Sequence, residues 1–168
     1  MTNLHTVTPR GQSGAALMVA LVMLLVLTVL GVTAIRTTTL QEKMAGNMRD
    51  ANLAFQAAEA SLRDGETLVR GAVLPPFDGT NGLLQVEPDA GRPEFWSTYN
   101  WANSRVTAGV NYVAAPPNYV VEELPPVPVE GGSERFGPLP DVGFYRVTAR
   151  GFGGTTDAVS ILQTVYRR

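Results

Sequence analysis

The chain has 168 residues, a net charge of −2 and no cysteine, a length that accommodates one domain or one domain plus an extended element. The near-zero charge excludes a strongly basic nucleic-acid-binding protein, and the lack of cysteine excludes disulfides and thiolate metal sites. Charged residues make up only 17% of the sequence, and the deficit is local, because residues 11–35 contain no Asp, Glu, Lys or Arg.

The uncharged region contains an almost continuous apolar run from Ala15 to Ile35. Only Thr28, Gly31 and Thr33 interrupt it, and as a helix it measures about 32 Å, enough to cross a hydrocarbon core of about 30 Å. A buried core helix seldom lacks charge over such a length, and a cleavable secretory signal has a shorter apolar region. We therefore predict a retained transmembrane segment, whose orientation the Lys and Arg counts alone do not decide.

The region after the apolar run is predicted to continue as an amphipathic helix over residues 36–71. No proline interrupts residues 10–74, and proline costs about 3 kcal/mol inside a helix. Apolar or small residues recur at alternating steps of four and three, which places them on one helix face. The members of this face are Met44, Met48, Ala51, Phe55, Ala58, Leu62, Gly65 and Val69. We expect it to pack on the rest of the protein, with Phe55 and Leu62 as its largest central members.

The region from residue 72 to 168 contains eleven of the twelve prolines and short alternating or apolar runs separated by turn sequences, a pattern typical of strands. The predicted strands are Leu83–Glu87, Val110–Ala114, Tyr119–Leu124, Phe144–Gly151 and Ala158–Tyr166. The last two predict an antiparallel hairpin, which is the expected partner of the helix face. Residues 125–133 are predicted to form a Pro/Gly-rich surface loop. The continuity of the long helix through residues 36–39 and 46–47 stays open.

No arrangement of side chains after the apolar run predicts catalysis, metal binding or a cofactor. This region has no His or Cys, which excludes Ser-His-Asp and Cys-His nucleophiles and His-based zinc sites. Gly151-x-Gly153-Gly154 is interpreted as the hairpin connection and not as a dinucleotide site, because no predicted helix follows it. A glycosidase that uses only carboxylates stays open, as does an aromatic binding surface, although such residues are more often core. The aromatic residues concerned are Trp96, Tyr99, Trp101, Tyr112 and Tyr119.

The N-terminal half of the sequence resembles type IV pilins and type II secretion pseudopilins. A polar leader ends in Gly14, an all-apolar helix starts at Ala15, and an amphipathic continuation follows. The stretch TTTLQEKMAGNMRDANLAFQAAEASLR at residues 37–63 and the ending AVSILQTVYRR look like the PilX minor pilins of type IV pili. The resemblance implies a pilin-like α+β fold, with a long N-terminal helix packed on a small antiparallel sheet. Its expected parts are a leader (1–14), a transmembrane segment (15–35), an amphipathic continuation (36–71) and a periplasmic β-rich domain (72–168).

The resemblance also implies roles for three positions near the N-terminus. Gly14 matches the glycine before the cut made by the prepilin peptidase, with Gly11 as a fallback, and Ala15 would become the N-methylated first residue. Val19 then occupies the fifth mature position, where most pilins carry a glutamate. PilX proteins and the pseudopilin of the secretion tip share this departure. The family layout places the N-terminus in the cytoplasm and the domain in the periplasm.

Two functions from different classes stay open. The first is a minor pilin, a structural subunit that primes pilus assembly in a tip complex with other minor pilins. Its expected partners are other minor pilins and the major pilin through the N-terminal helix, the prepilin peptidase, the inner membrane before assembly, and a tip adhesin as a further candidate. The alternative is a single-pass, membrane-anchored periplasmic binding domain that does not polymerise.

Overall fold

The computed structural model describes residues 13–127 and 142–168 of the chain. Within these residues, one long helix comes first, and short helical segments and five strands follow it. The bounds are α1 Ser13–Arg70, β1 Leu83–Leu84, α2 Pro93–Thr98, a 3₁₀ helix Trp101–Asn103, β2 Arg105–Val106, β3 Asn118–Val127, β4 Val142–Phe152 and β5 Val159–Arg167. The chain divides into two compact units, Met1–Gly46 and Asn47–Arg168.

The first unit consists, in its described part, of the apolar beginning of α1. Its large side chains from Leu17 to Ile35 are exposed, and the length and composition of α1 allow it to cross a membrane. The helix continues through Thr37, Thr38 and Thr39, whose hydroxyls donate to carbonyl oxygens four residues earlier at 3.0–3.1 Å. These bonds satisfy the hydroxyls within the helix itself, so the three threonines do not end it.

The second unit is built on a five-stranded mixed sheet with the order β1-β3-β4-β5, in which β2 also pairs with β3. The two long central pairings are antiparallel, and they place Val121 opposite Val147 and Ala149 opposite Leu162. β1 pairs with β3 in parallel, so the sheet is mixed and not wholly antiparallel as the resemblance implied. β3 and β4 are the central strands, and β5 forms one side of the sheet.

The part of α1 in the second unit packs on one face of the sheet through small residues. Gly151 of β4 lies directly against the helix backbone, because a Cβ at this position would collide with the carbonyl oxygen of Ala54 and the amide nitrogen of Ala58. On the helix, a Cβ at Gly65 would collide with the side chain of Val147 on β4. A larger cluster continues this side of the core. Its buried members are Val69, Leu83, Tyr119, Val121, Tyr145, Val147 and Ala149.

A second cluster covers the opposite face of the sheet and is formed by the segment that includes α2. Its buried members are Ala90, Trp96, Trp101 and Val120. The indole nitrogen of Trp96 donates to the carbonyl of Ala90 at 2.7 Å, and that of Trp101 donates to the carbonyl of Trp96 at 3.3 Å. Both rings therefore bury their apolar area while their N–H groups stay satisfied. The central strands are covered on both sides.

The predicted α+β fold is confirmed. β3 and β4 contain the strands predicted there, and β5 contains the last predicted strand except for Ala158, which precedes it. Two strand predictions need correction, because Leu83–Glu87 is a strand only over its first two residues and Val110–Ala114 is not a strand. The second segment contains Tyr112 at φ 64° and directly follows Gly109 at φ 81°. Left-handed backbone of this kind interrupts an extended strand.

Two further differences concern residues between the strands. Pro125 belongs to β3, where the register is irregular between Leu124 and Val127, whereas residues 128–133 of the predicted loop lie outside the described residues. The two short helical segments within residues 93–103 were not predicted. Segments of six and three residues are too short to show a helical period.

The predicted packing face of the long helix is wrong in its N-terminal half. Phe55 is 48% exposed, and Met44 and Met48 are 65% and 66% exposed, while Ala51 is exposed as well. Further along the helix, Ala58 and Val69 are buried and Leu62 is half-buried. The buried line passes instead through Ala54, Ala57, Ala58, Ser61, Gly65 and Val69. The reason is the close approach of β4, which admits small side chains and leaves no room for a phenylalanine.

The close approach predicts that Gly151→Ala destabilises the domain by about 1–3 kcal/mol or more, because the added methyl meets rigid backbone atoms on both sides. The melting temperature of the full chain in detergent, followed by tryptophan fluorescence, should fall by several degrees. Gly91→Ala is the matched control, since a Cβ there comes no closer than 3.9 Å to any other group. Equal melting temperatures for the two variants would contradict the close helix–strand contact.

Candidate functional site

The first candidate site is the beginning of α1, where the sequence predicts processing and assembly. Gly14 and Ala15 are exposed, and a Cβ at Gly14 would meet nothing within 4 Å. Val19 is 60% exposed on the same helix. Packing among the described residues therefore does not require glycine at position 14, and the side chain at position 19 is available to a neighbouring molecule.

A second set of exposed apolar side chains lies on α1 where it crosses the second unit. Met48 is 66% exposed and Phe55 is 48% exposed, and Ala51 between them is exposed too. These residues are spaced by three and four along the helix, so they share one face. The helix thus presents two surfaces, one of small residues that contacts the sheet and one with larger apolar residues that faces away from it.

Asp50 links α1 to the connection between β4 and β5. Its carboxylate accepts hydrogen bonds from the backbone N–H groups of Gly154 and Thr155 and from the hydroxyl of Thr155. The hydroxyl of Thr155 is the main reason that the pKa of Asp50 lies below its ordinary value; the two N–H groups add to this effect and burial opposes it. A Cβ at Gly153 would collide with the carboxylate. The glycines of this connection therefore accommodate the Asp50 side chain.

A buried ion pair lies on the sheet face opposite α1. Glu122 is 2% exposed, and the antiparallel register places it directly opposite Arg146. One carboxylate oxygen of Glu122 is 3.1 Å from Nη1 of Arg146, and the other accepts from the N–H of Glu87 at 2.7 Å. Burial raises the pKa of Glu122, while the N–H of Glu87 and the guanidinium oppose this rise. The carboxylate holds the segment after β1 against the sheet.

The aromatic residues that a binding surface would need are mostly in the core. Trp96, Trp101 and Tyr119 are 3–7% exposed, and Tyr99 is half-buried beside the two tryptophans, with its ring centre 5.0 Å from that of Trp96. The exception is Tyr112, which is 90% exposed. Side chains buried in this way support the sheet and are not available to a sugar or peptide.

A groove of about 570 Å³ opens at the side of the sheet near the end of β3. Its described lining residues are Phe77, Gln85, Val86, Glu123, Leu124, Pro125 and Gly143, of which only Glu123 is ionisable. Within residues 13–127 and 142–168, no group of three or more His, Cys, Asp and Glu side chains is placed to hold a metal ion. The polar contacts of Asp50 and Glu122 tie segments together and do not converge on a reaction centre.

A membrane-length apolar helix that continues onto a small mixed sheet defines a pilin-like α+β protein. The family described as PilX N-terminal matches residues 13–63, and the family described as Type IV pilus assembly protein PilX C-term matches residues 45–168. The chain therefore belongs to the PilX family and is a minor pilin of type IV pilus assembly. No curated protein and no solved structure matches the chain. The family predicted from the sequence is confirmed.

Sequence analysis did not predict the long-range polar contacts that Asp50 and Glu122 make within the domain. Asp50 and Thr155 are 105 positions apart in the sequence, and no local pattern connects them. The pairing of Glu122 with Arg146 was partly accessible from the sequence, because each residue lies in a predicted strand. Without the register between these strands, however, neither charge identifies the other as its partner.

The raised pKa of Glu122 predicts a pH-dependent contribution to stability. Such a carboxyl group stabilises the folded state below its unfolded pKa, near 4.5, and this contribution is lost as the pH rises through the higher folded pKa. Glu122→Gln keeps an acceptor for the N–H of Glu87 but removes the charge. The melting temperature of the wild-type chain should therefore fall relative to that of Glu122→Gln as the pH rises from about 4 to about 7.

The control for this experiment is Glu123→Gln, which changes the exposed neighbouring residue on the same strand. Its melting temperature should follow that of the wild type over the whole pH range. A wild-type melting temperature that instead rises relative to Glu122→Gln would show that Arg146 outweighs burial and that the pKa of Glu122 is lowered.

Proposed function

We propose that this minor pilin takes part in starting pilus assembly and lies at the end of the filament, in a complex with other minor pilins. The main support for the proposal is the presence of valine, and not an acid, at position 19. Its apolar side chain is 60% exposed near the start of a membrane-length helix, at the position where the pilin pattern has a glutamate.

A processed pilin has a positively charged N-terminus inside the bilayer. A charge at the bilayer centre costs about 2.5–3.5 kcal/mol even on the lenient insertion scale, so pairing with an acid on a neighbouring helix is a strong docking force. Val19 offers no such acid to a neighbour. The amine of Ala15 can still pair with the glutamate of another subunit. A subunit that has the charged amine but lacks the acid suits an end of the filament, where one neighbouring subunit is missing.

Processing between Gly14 and Ala15 is part of this proposal. The glycine lies directly before the apolar run, and no packing contact of the described residues explains why position 14 lacks a side chain. A small residue before the cut leaves the peptide bond accessible to the prepilin peptidase. The implied orientation has the leader in the cytoplasm and the domain in the periplasm before the subunit enters the pilus.

The exposed apolar face of α1 supports a structural role. Met48 and Phe55 point away from the domain core, and their transfer out of water stabilises association with other subunits by about 25 cal/mol per Å² of apolar area. We propose that this face contacts the helices of other minor pilins and of the major pilin. The protein then acts through assembly, without an enzymatic activity of its own.

The processing proposal predicts that Gly14→Val blocks the cut, because a branched side chain hinders access to the peptide bond. The intact mass of the wild-type chain should correspond to residues 15–168 plus one methyl group, and that of Gly14→Val to the unprocessed chain. Gly31→Val is the matched control: it adds the same side chain to the same helix, again with nothing within 4 Å of its Cβ. Wild-type protein that retains its leader would favour the anchored binding domain that does not polymerise.

The tip proposal predicts that deletion of the gene sharply reduces surface pili and leaves the level of major pilin unchanged. Immunogold labelling of the wild type should mark filament ends. Val19→Glu should place the subunit within the shaft as well, since the acid now pairs with a neighbour's N-terminus. Val22→Glu is the matched control, because Val22 is 59% exposed on the same helix but lies at a different depth. Shaft labelling of the wild type together with normal piliation of the deletion strain would refute the proposal.

A further inference from the structure

The outer strand β5 leaves half of its backbone hydrogen-bonding groups directed away from the sheet. The N–H of Gly153 donates to the carbonyl of Ala158, and the N–H of Arg168 donates to the carbonyl of Gly143. Because bonded positions alternate along an antiparallel pair, the even-numbered residues of β5 face β4. The N–H and C=O groups of Val159, Ile161, Gln163, Val165 and Arg167 therefore point outward, and no described residue pairs with this side of β5.

The side chains of these outward residues form an exposed, largely apolar row. Val159, Ile161 and Val165 are 45%, 38% and 56% exposed. Proteins usually protect an outer strand with a charge, a proline or a bulge. From Val159 to Tyr166 the strand has no charged residue and no proline, and its pairing with β4 is regular throughout. A strand with these properties is suited to receive a further strand.

The row has charges only at its ends, and they have opposite signs. Asp157 precedes the strand and Arg167 closes it, with Val159, Ile161, Gln163 and Val165 at every second position between them. When two copies of the row are aligned in opposite directions, the acid lies opposite the base, valine lies opposite valine and isoleucine lies opposite glutamine. Self-complementarity under reversal is the requirement of a two-fold contact between identical chains.

We propose that β5 pairs antiparallel with β5 of a second copy of this chain and joins the two sheets into one. In the proposed register, Asp157 lies opposite Arg167 of the second copy, Val159 opposite its Val165, and Ile161 opposite its Gln163. All residues of these pairs within β5 have outward backbone groups, so the register forms hydrogen bonds along the whole contact. The ion pair occurs twice, once at each end.

The geometry also determines how the two copies approach each other. In each copy, α1 runs alongside β5 in the same direction, because Asp50 contacts Thr155 before the strand and the guanidinium of Arg168 lies 3.3 Å from the carbonyl oxygen of Val69 after it. A two-fold axis that reverses β5 also reverses this part of α1. The contact therefore places these parts of α1, within the second units of the two copies, in opposite directions. It does not depend on a position at the filament tip.

The first test is charge reversal in the full-length chain purified in detergent, with the molar mass of the protein followed against concentration by sedimentation. The wild type should form dimers, and Asp157→Arg or Arg167→Asp alone should weaken dimerisation about tenfold, because each puts like charges at both ends. The double variant Asp157→Arg with Arg167→Asp should restore it. Arg63→Asp reverses an exposed charge on α1 and should have no effect. Tryptophan fluorescence verifies that every variant is folded.

The second test uses the absence of native cysteine. Differently tagged Val159→Cys and Val165→Cys chains are mixed and oxidised, and they should cross-link to each other, since opposed Cα atoms at about 5.5 Å lie within disulfide range. Val106→Cys, which is exposed on β2, replaces one partner as the control. A monomeric wild type at all concentrations, dimers insensitive to both single charge reversals, or cross-linking equal to the control would each overturn the proposal. If β5 pairs with another pilin instead of a second copy, the purified wild type would stay monomeric at all concentrations.

Discussion

The structure of the domain depends on the close approach of α1 to β4 at Gly151. The helix backbone at Ala54 and Ala58 occupies the space that a Cβ of residue 151 would need, so both elements must present small residues there. Gly65 of the helix in turn leaves space for the side chain of Val147 on β4. Because protein interiors are close-packed, the short distance between the α1 backbone and β4 determines which helix residues are buried. The larger apolar side chains of α1 therefore face away from the sheet.

The opposite face of the sheet is organised by a different interaction. Glu122 is buried at a cost to its charged form, yet Arg146 and the N–H of Glu87 occupy its two oxygens. Removing one partner of such a pair leaves an uncompensated buried charge, which is why the arrangement specifies one position for the attached segment. Asp50 acts similarly at the helix side, where it holds the connection between β4 and β5. The polar contacts of Asp50 and Glu122 thus hold the connecting segments in position, while apolar packing forms the core.

The separation of small and large residues on α1 connects the fold to pilus assembly. In the proposed assembly role, the same helix packs on its own domain and contacts other subunits. In this chain alanine, serine and glycine serve the domain, while Met48, Phe55 and the apolar residues of the first unit stay exposed. The two surfaces do not compete, because close backbone packing and contacts between larger apolar side chains use different residues. β5 adds a surface of another kind, with backbone groups as well as side chains exposed.

The sequence by itself determined the membrane-length helix, the α+β class and the C-terminal hairpin, because these depend on charge, periodicity and turn residues that are local in the chain. The family followed from the resemblance of residues 37–63 and of the C-terminal ending to PilX minor pilins. The sequence did not determine which face of α1 is buried: hydrophobicity favoured Phe55, whereas the contact is made by Ala54, Ala58 and Gly151. Nor did it pair Asp50 with Thr155 or Glu122 with Arg146. The tertiary structure decided these points, since steric fit and strand register bring together residues that are far apart in sequence.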